Sequence, residues 1–181
     1  QWAVIAAAAE AAAVRATLTI GAAFGCPFEG EIAVRRLVEV ATAAVAAARP
    51  AELALADTIG VAVPRDVRER LTAIGAELPS VRLRVHFHNT RNTGLANALA
   101  AVEAGVRIVD ASLGGIGGCP FAPRATGNIP TEDVAYLLAR SGYATGLDLD
   151  RLAAAVGWLE AELGHAVPGL YAKAGPFPKP A

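Results

Sequence analysis

Two of the three histidines in the chain, His86 and His88, lie two residues apart in the stretch RVHFHNT, residues 84–90. Side chains at positions i and i+2 of a β-strand point to the same face, so the two imidazoles would converge at the end of this alternating apolar run. Neutral imidazole nitrogens in such a pair are suitable ligands for a divalent metal ion. The alternative is structural, with one histidine packed in the core and the other closing a loop, and the spacing favours neither.

A second candidate is the glycine-rich segment LGGIGGCPFAPRATGN, residues 113–128. Its closely spaced glycines permit positive φ angles and a close approach of the backbone to a ligand, although a flexible connector is the simpler alternative. Cys119 directly follows them, and a thiol on such a loop is a candidate for chemistry unless it is buried and inert. Asn128 could cap the next helix or offer its amide oxygen to a hard cation, and the spacing favours the cap.

Other polar residues also follow apolar runs. Asp57 and Thr58 come at the end of ELALAD, where the aspartate could orient a group, bind substrate or close the strand in an Asx turn. Asp110 lies in VDAS, where a structural and a catalytic carboxylate are equally expected. Cys26 and Glu29 lie in GCPFEGE, where the glutamates could instead favour the start of the next helix.

Apolar runs of strand length alternate along the chain with stretches of helical period. We predict strands over 16–24, 52–57, 81–88 and 106–113, and helices over 1–14, 31–48, 64–78 and 91–104. Two more helices are predicted to begin at Thr131, as an N-cap, and near Asp148. Such alternation with near-continuous apolar strands is typical of a parallel sheet covered by helices.

The fold class that fits this alternation is α/β, a (β/α)8 TIM barrel. The candidate polar residues follow strand ends, which is where such a barrel places its active site. A complete barrel typically takes ~250 residues, and the chain has 181. We therefore expect its C-terminal portion, about strands 4–8, plus C-terminal helices. We predict a partial barrel domain over 1–165 and a Pro-rich irregular tail over 166–181.

Composition excludes several classes of protein. The chain is 54% hydrophobic and 18% charged, which is far from the composition of a disordered protein. Its net charge of -1 leads us to expect neither a nucleic-acid partner nor a membrane partner. Two cysteines are too few for a disulfide framework and indicate a cytoplasmic protein. No strand-to-helix turn carries a GxGxxG motif, which disfavours a dinucleotide-binding sheet.

The segment GGIGGCPF, residues 114–121, closely resembles the signature of 3-hydroxy-3-methylglutaryl-CoA lyases, which belong to the metal-dependent lyase and synthase TIM barrels. The blocks GCPFEG, ADTIG, HFHNT and ATGN-IPTEDVAYLL match further segments of that family. The likeness covers residues 16 to about 160. The cysteine in the glycine loop is the specific part, because sister synthases share the H-x-H pair but lack this cysteine.

The resemblance implies a set of site residues. His86, His88 and Asn128 would be metal ligands, and these nitrogen and oxygen donors suit Mg2+ or Mn2+ as the divalent cation. Cys119 would be the catalytic thiol on a closing loop, with His86 as a candidate for proton transfer near the metal.

The resemblance also implies a reaction. The family cleaves a 3-hydroxy-3-methylglutaryl thioester into acetoacetate and acetyl-CoA, and Asp57 and Thr58 would lie at the substrate site. We therefore expect a carbon–carbon lyase with an acyl-CoA substrate, and the likeness suggests a homodimer. The alternatives are a related aldolase or synthase acting on another 3-hydroxyacyl-CoA, and a non-catalytic partial barrel.

The chain departs from the family pattern at three places. Asn89 stands where an aspartate usually follows the second histidine, a change that could alter the acyl group accepted. Ala54 and Ala56 replace small polar or glycine residues before the Asp-Thr pair. The family's first strand supplies an Arg-Asp pair whose aspartate binds the metal, and the chain contains no such segment. We therefore expect it to be part of a longer enzyme.

Overall fold

A computed structural model describes residues 1–119 and 122–177 of the chain, with residues 119 and 122–126 described by their backbone alone. The helices are α1 Trp2–Ala11, α2 Val34–Ala47, α3 Pro64–Glu77, α4 Gly94–Glu103, α5 Thr131–Arg140, α6 Leu149–Leu163 and α7 Tyr171–Ala174. The strands are β1 Leu18–Ile20, β2 Gly25–Cys26, β3 Gly30–Glu31, β4 Leu53–Asp57, β5 Leu83–Phe87, β6 Val109–Asp110, β7 Gly118–Cys119 and β8 Ala122–Thr126.

Four strands form one sheet in the order β1-β4-β5-β6, and all of its pairs are parallel. Helices α2, α3, α4 and α5 follow these strands along the chain, and antiparallel pairs β2–β3 and β7–β8 are inserted before α2 and α5. The repeated unit is therefore a parallel strand followed by a helix. The predicted α/β class is confirmed, and the four units form part of a (β/α)8 barrel.

The two faces of the sheet differ in chemistry because side chains alternate along each strand. In the register of β4 with β5, Ala54 lies beside Arg84 and Ala56 beside His86, so small and polar side chains share the inner face. The outer face packs against the helices in the hydrophobic core, which contains Leu37, Leu53, Leu55, Val67, Leu71, Ile74, Val85, Phe87 and Ala98. The neighbour of His86 on β4 is thus a small, buried alanine.

Two of the predicted strands are too long. β1 ends at Ile20, and beyond it the Ala23 amide donates to the Ala56 carbonyl outside the regular ladder. β6 covers only Val109–Asp110, and within the described part of the chain it pairs with β5 alone. An apolar run in the sequence indicates which residues are buried. The length of a strand depends instead on how many of those residues pair with a neighbouring strand.

The predicted cap of α5 is wrong. Pro130 occupies the N-cap position, Thr131 is the first helical residue, and no side chain caps the helix. The Thr131 amide instead donates to the Ser112 carbonyl at 2.8 Å. A distant loop therefore supplies the acceptor that a local side chain was expected to provide.

The predicted tail over 166–181 contains the one-turn helix α7. Asp133 in the first turn of α5 accepts the Leu170 amide at 3.0 Å and the Tyr171 amide at 2.7 Å, which ties this segment to the barrel. The division of the chain at residue 165 stays a prediction. In the described ranges, none of the helices is long and apolar enough to cross a membrane.

Glu52 is the centre of an ion network at the start of β4. Its carboxylate accepts from Arg84 Nε at 2.9 Å and pairs with Arg15 at 3.2 Å. Arg84 also pairs with Asp110 across the sheet, Nη1 to Oδ1 at 3.2 Å. The pKa of the Glu52 carboxyl lies below its ordinary value, chiefly because of the hydrogen bond from Arg84, with Arg82 and Arg15 contributing charge.

This network predicts how Glu52→Gln changes acid stability. A lowered pKa in the folded state contributes stability above the ordinary value of 4.5, and that contribution is lost as the pH falls through the lower, folded pKa. The variant is expected to be less stable than the wild type at neutral pH, and the difference should shrink below pH 4.5. Urea unfolding at a series of pH values measures it, and a constant difference would contradict the prediction.

Candidate active site

The predicted histidine pair shares one face at the end of β5. The centroids of the His86 and His88 rings lie 5.2 Å apart, with the ring planes inclined by 59°. His88 is 3% exposed, whereas His86 is partly exposed. Both side chains therefore lie on the inner face of the sheet, where strand periodicity predicted them.

Asn128 is joined to the histidine pair through the backbone. It forms an antiparallel bridge with His88. Two backbone hydrogen bonds flank this bridge: the Asn89 amide donates to the Gly127 carbonyl at 3.1 Å, and the Ile129 amide donates to the Phe87 carbonyl at 3.3 Å. Two segments 40 residues apart in sequence numbering are thus held side by side.

The side chain of Asn128 does not cap α5, and the interpretation favoured by spacing is wrong. Its Nδ2 donates to the Ile116 carbonyl at 3.0 Å. Its Oδ1 is buried and has no hydrogen-bond partner among the described residues. A buried acceptor without a donor costs free energy unless something else pairs with it.

The donor set fits a divalent cation. His86 and His88 offer ring nitrogens, and Asn128 offers the buried oxygen for which the described part of the chain supplies no donor. Within the described residues, no group of three or more His, Cys, Asp or Glu side chains could hold a metal by itself. A cation bound here would take the Asn128 amide oxygen as a third donor beside the two imidazoles.

Burial lowers the pKa of the His86 imidazole below its ordinary value of 6.5, while the charges of Asp110 and Asp57 act in the opposite direction. Asp110 Oδ2 lies 3.9 Å from His86 Nδ1. The net direction favours the neutral imidazole at neutral pH. That form can bind a cation or accept a proton.

Asp57 and Thr58 make contacts with the backbone. The Asp57 carboxylate is 1% exposed and accepts the Val61 amide at 3.0 Å and the Ala62 amide at 2.8 Å. Thr58 Oγ1 donates to the Gly21 carbonyl at 2.9 Å. These bonds support the turn alternative for Asp57, and a contact of either residue with substrate stays a prediction.

The glycine loop begins with a 3-10 turn, Leu113–Gly115. Gly114, Gly115 and Gly117 have φ angles of 67°, 74° and 117°, so three of its glycines adopt the backbone region that other residues rarely enter. The backbone of Cys119 ends β7, opposite Ala122 of β8. Its side chain lies outside the described part of the structure, so the catalytic role of the thiol stays a prediction.

Asn89, which departs from the family pattern, and its neighbour Arg91 have structural roles. Asn89 Oδ1 accepts the Gly94 amide at 3.1 Å, at the first turn of α4. Arg91 Nη1 donates to the carbonyls of Ile59 and Gly60, each at 3.0 Å. These side chains organise the loops after β4 and β5.

Glu132 is a residue whose part in the site the sequence analysis missed. Its position in the first turn of α5 is typical of an acid that interacts with the helix dipole. In the structure it is completely buried, and Oε2 accepts the Gly114 amide at 3.1 Å. The signal available in the sequence was a carboxylate close after the glycine loop, but nothing local distinguishes it from an ordinary first-turn acid.

A family model and the named relatives all place the chain in one family. The family model described as HMGL-like matches residues 1–157. The chain is 52% identical over 159 residues to a (R)-citramalyl-CoA lyase of Chloroflexus aurantiacus, covering 88% of this chain and 50% of that protein. It is 39% identical over 145 residues to a hydroxymethylglutaryl-CoA lyase of Bacillus subtilis, covering 80% and 48%.

Among solved structures, an HMG-CoA lyase from Acinetobacter baumannii in complex with coenzyme A and 3-methylmalate superposes with a TM-score of 0.91. The two chains are 39% identical, and the match covers 99% of this chain and 58% of that one. The chain thus spans about half the length of the relatives that it matches.

Proposed function

Because the chain belongs to the HMGL-like family, we propose that the protein is a divalent-metal-dependent lyase that cleaves a carbon–carbon bond in a 3-hydroxyacyl-CoA. The observation that carries the proposal is the cluster of His86, His88 and Asn128 beside the glycine loop, with the Asn128 oxygen buried and without a hydrogen-bond donor among the residues that the structure describes. The named relatives support the reaction class, and the coenzyme A complex of the A. baumannii enzyme supports a thioester substrate.

Two acyl groups are candidates. Our sequence-based hypothesis is 3-hydroxy-3-methylglutaryl-CoA, whose cleavage releases acetyl-CoA and acetoacetate. The 52% identity to a citramalyl-CoA lyase, against 39% to a hydroxymethylglutaryl-CoA lyase, favours (R)-citramalyl-CoA, whose cleavage releases acetyl-CoA and pyruvate. Both substrates carry a tertiary hydroxyl on the carbon β to the thioester, so the same groups of the protein can act on either.

The chain's own residues account for the proton transfers. A bound Mg2+ or Mn2+ would polarise the hydroxyl and carbonyl oxygens of the substrate and stabilise developing negative charge. The hydroxyl proton passes to the Asp110–His86 pair, in which Asp110 Oδ2 lies 3.9 Å from His86 Nδ1, because the carboxylate can take up a proton while the imidazole keeps its other nitrogen for the cation. The C2–C3 bond then breaks, its electron pair leaves as the thioester enolate, and Cys119 supplies the proton that C2 takes up.

The test is a cleavage assay on the full protein that contains this chain. We expect turnover of at least one of the two thioesters with Mg2+ or Mn2+, loss of turnover after chelation, and a much slower reaction for Cys119→Ala. Detection of pyruvate or acetoacetate decides between the substrates. Turnover that survives chelation would refute the metal-dependent mechanism, and no cleavage of either thioester would favour a non-catalytic partial barrel.

A further inference from the structure

A carboxyl group that the proposed mechanism does not use lies beneath the glycine loop. Glu132 is 0% exposed, and its Oε2 accepts the Gly114 amide at 3.1 Å. Its Oε1 has no hydrogen-bond partner in the described residues and lies against Gly169, where a Cβ atom would collide with it. Burial raises the pKa of this carboxyl, opposed by hydrogen bonds from backbone amides, including that of Gly114. Placing a carboxyl here is costly, and the Gly114 amide that it binds belongs to the first glycine of the loop.

Gly114 is held from three directions. Its amide donates to Glu132, and its carbonyl accepts the Gly169 amide at 2.9 Å. Its third side is closed by Val167, because a Cβ added at this glycine would lie 2.6 Å from Val167 Cγ2. With a φ of 67°, this residue has little freedom to move relative to α5 and the C-terminal segment.

The loop continues from this fixed point to the proposed ligand Asn128. The Ser112 hydroxyl donates to the Ile116 carbonyl at 2.6 Å, and Asn128 Nδ2 donates to the same carbonyl at 3.0 Å. A Cβ added at Gly117 would lie 2.6 Å from that Nδ2. The orientation of the Asn128 amide, and so of its buried oxygen, therefore depends on where Ile116 lies.

We propose that Glu132 is a positioning residue that fixes the root of the glycine loop at Gly114, and so sets the place of Ile116 and the backbone of Cys119. The proposal rests on the proposed function, because Asn128 and Cys119 are the groups that it positions. What matters is the length of the Glu132 side chain, which brings a hydrogen-bond acceptor to the Gly114 amide. Its charge is not required.

Three variants of Glu132 separate reach from charge. Gln keeps both the length and an acceptor oxygen but carries no charge, and it should retain most of kcat. Asp keeps the acid but withdraws it by one methylene group, and it should lower kcat by about 10–100-fold with little change in KM, because a small misplacement of catalytic groups has effects of this size. Ala should lower kcat at least as much.

The matched control is Asp66→Ala. Asp66 lies in the first turn of α3, and its carboxylate accepts the Val63 amide at 3.1 Å, so this variant also removes a first-turn acid and one backbone acceptor. It is expected to lower stability without lowering kcat. If Glu132→Ala fails to fold, the comparison of the Asp and Gln variants carries the test. The proposal is overturned if Asp retains full kcat, or if Gln loses as much as Asp.

A second readout does not depend on lyase activity. In a Cys26→Ser background, the rate of Cys119 alkylation by iodoacetamide depends on the position of the loop that carries this thiol. We expect Glu132→Asp to change that rate by several-fold and Glu132→Gln to leave it close to that of the background protein. A changed rate in a protein that cleaves neither thioester would refute the proposed function and support the positioning role. Equal rates in all variants would refute the positioning role, whatever the activity.

Discussion

Replacing His88 with alanine is expected to lower thioester cleavage by more than about 100-fold and to weaken Mn2+ binding to a similar extent, since even residues that only support metal ligands have effects of 10–100-fold. The reason is geometric. The imidazole is 3% exposed, lies 5.2 Å from the His86 ring and belongs to the residue that bridges to Asn128. Isothermal titration with Mn2+ alone measures the binding, and the initial rate with the preferred thioester measures the reaction.

The chain offers a matched control in its third histidine. His165 is exposed and follows the C-cap residue of α6, and its Nδ1 contacts only the neighbouring Ala166 carbonyl among the contacts described. His165→Ala should therefore leave both Mn2+ affinity and turnover unchanged. His86→Ala should behave as His88→Ala does. If either inner-face variant binds Mn2+ as tightly as the wild type, the ligand assignment is wrong.

Replacing Gly114 with alanine is expected to lower the free energy of unfolding by about 2–5 kcal/mol. Two effects add. A φ of 67° costs an L-residue roughly 1–2 kcal/mol, and forcing a methyl group against Val167 costs about 1–3 kcal/mol in a packed site. Chemical unfolding of the purified variant measures the loss, and turnover should fall as well because the loop root is displaced.

Gly164 separates the two effects. It has a φ of 70° at the C-cap of α6, and nothing lies within 4 Å of a Cβ added there. Gly164→Ala should therefore show only the backbone cost, about 1–2 kcal/mol, with turnover unchanged. If both variants lose the same stability, the packing of Val167 on the loop root contributes nothing, and the explanation given for Gly114 fails.

Several features of the site follow from local rules and could be predicted from the sequence. Strand periodicity places His86 and His88 on one face, and the glycines before Cys119 predict a loop with unusual φ angles, as observed at Gly114. The alternation of apolar runs with helical stretches predicts the α/β class, which the parallel sheet confirms. These signals work because each depends on residues that are neighbours in sequence.

Asn128 shows where such reasoning stops. Spacing before a helix favoured a cap, but the helix begins three residues later, and the amide group of Asn128 is occupied by Ile116. Asp57 is a second case, because its carboxylate serves two backbone amides of the following loop. A polar side chain pairs with whichever group the fold brings within reach, and that group can belong to any segment.

The sequence by itself determined the strand-helix units, the shared face of the two histidines and the positive φ angles at the start of the glycine loop, because local periodicity and side-chain size control them. Only the tertiary structure decided that Asn128 lies beside His88 and that Glu132 holds Gly114. These contacts join segments that approach each other when parallel strands pair and the loop packs under the C-terminal segment. Burial then makes each unpaired polar atom costly, which selects partners that no local pattern specifies.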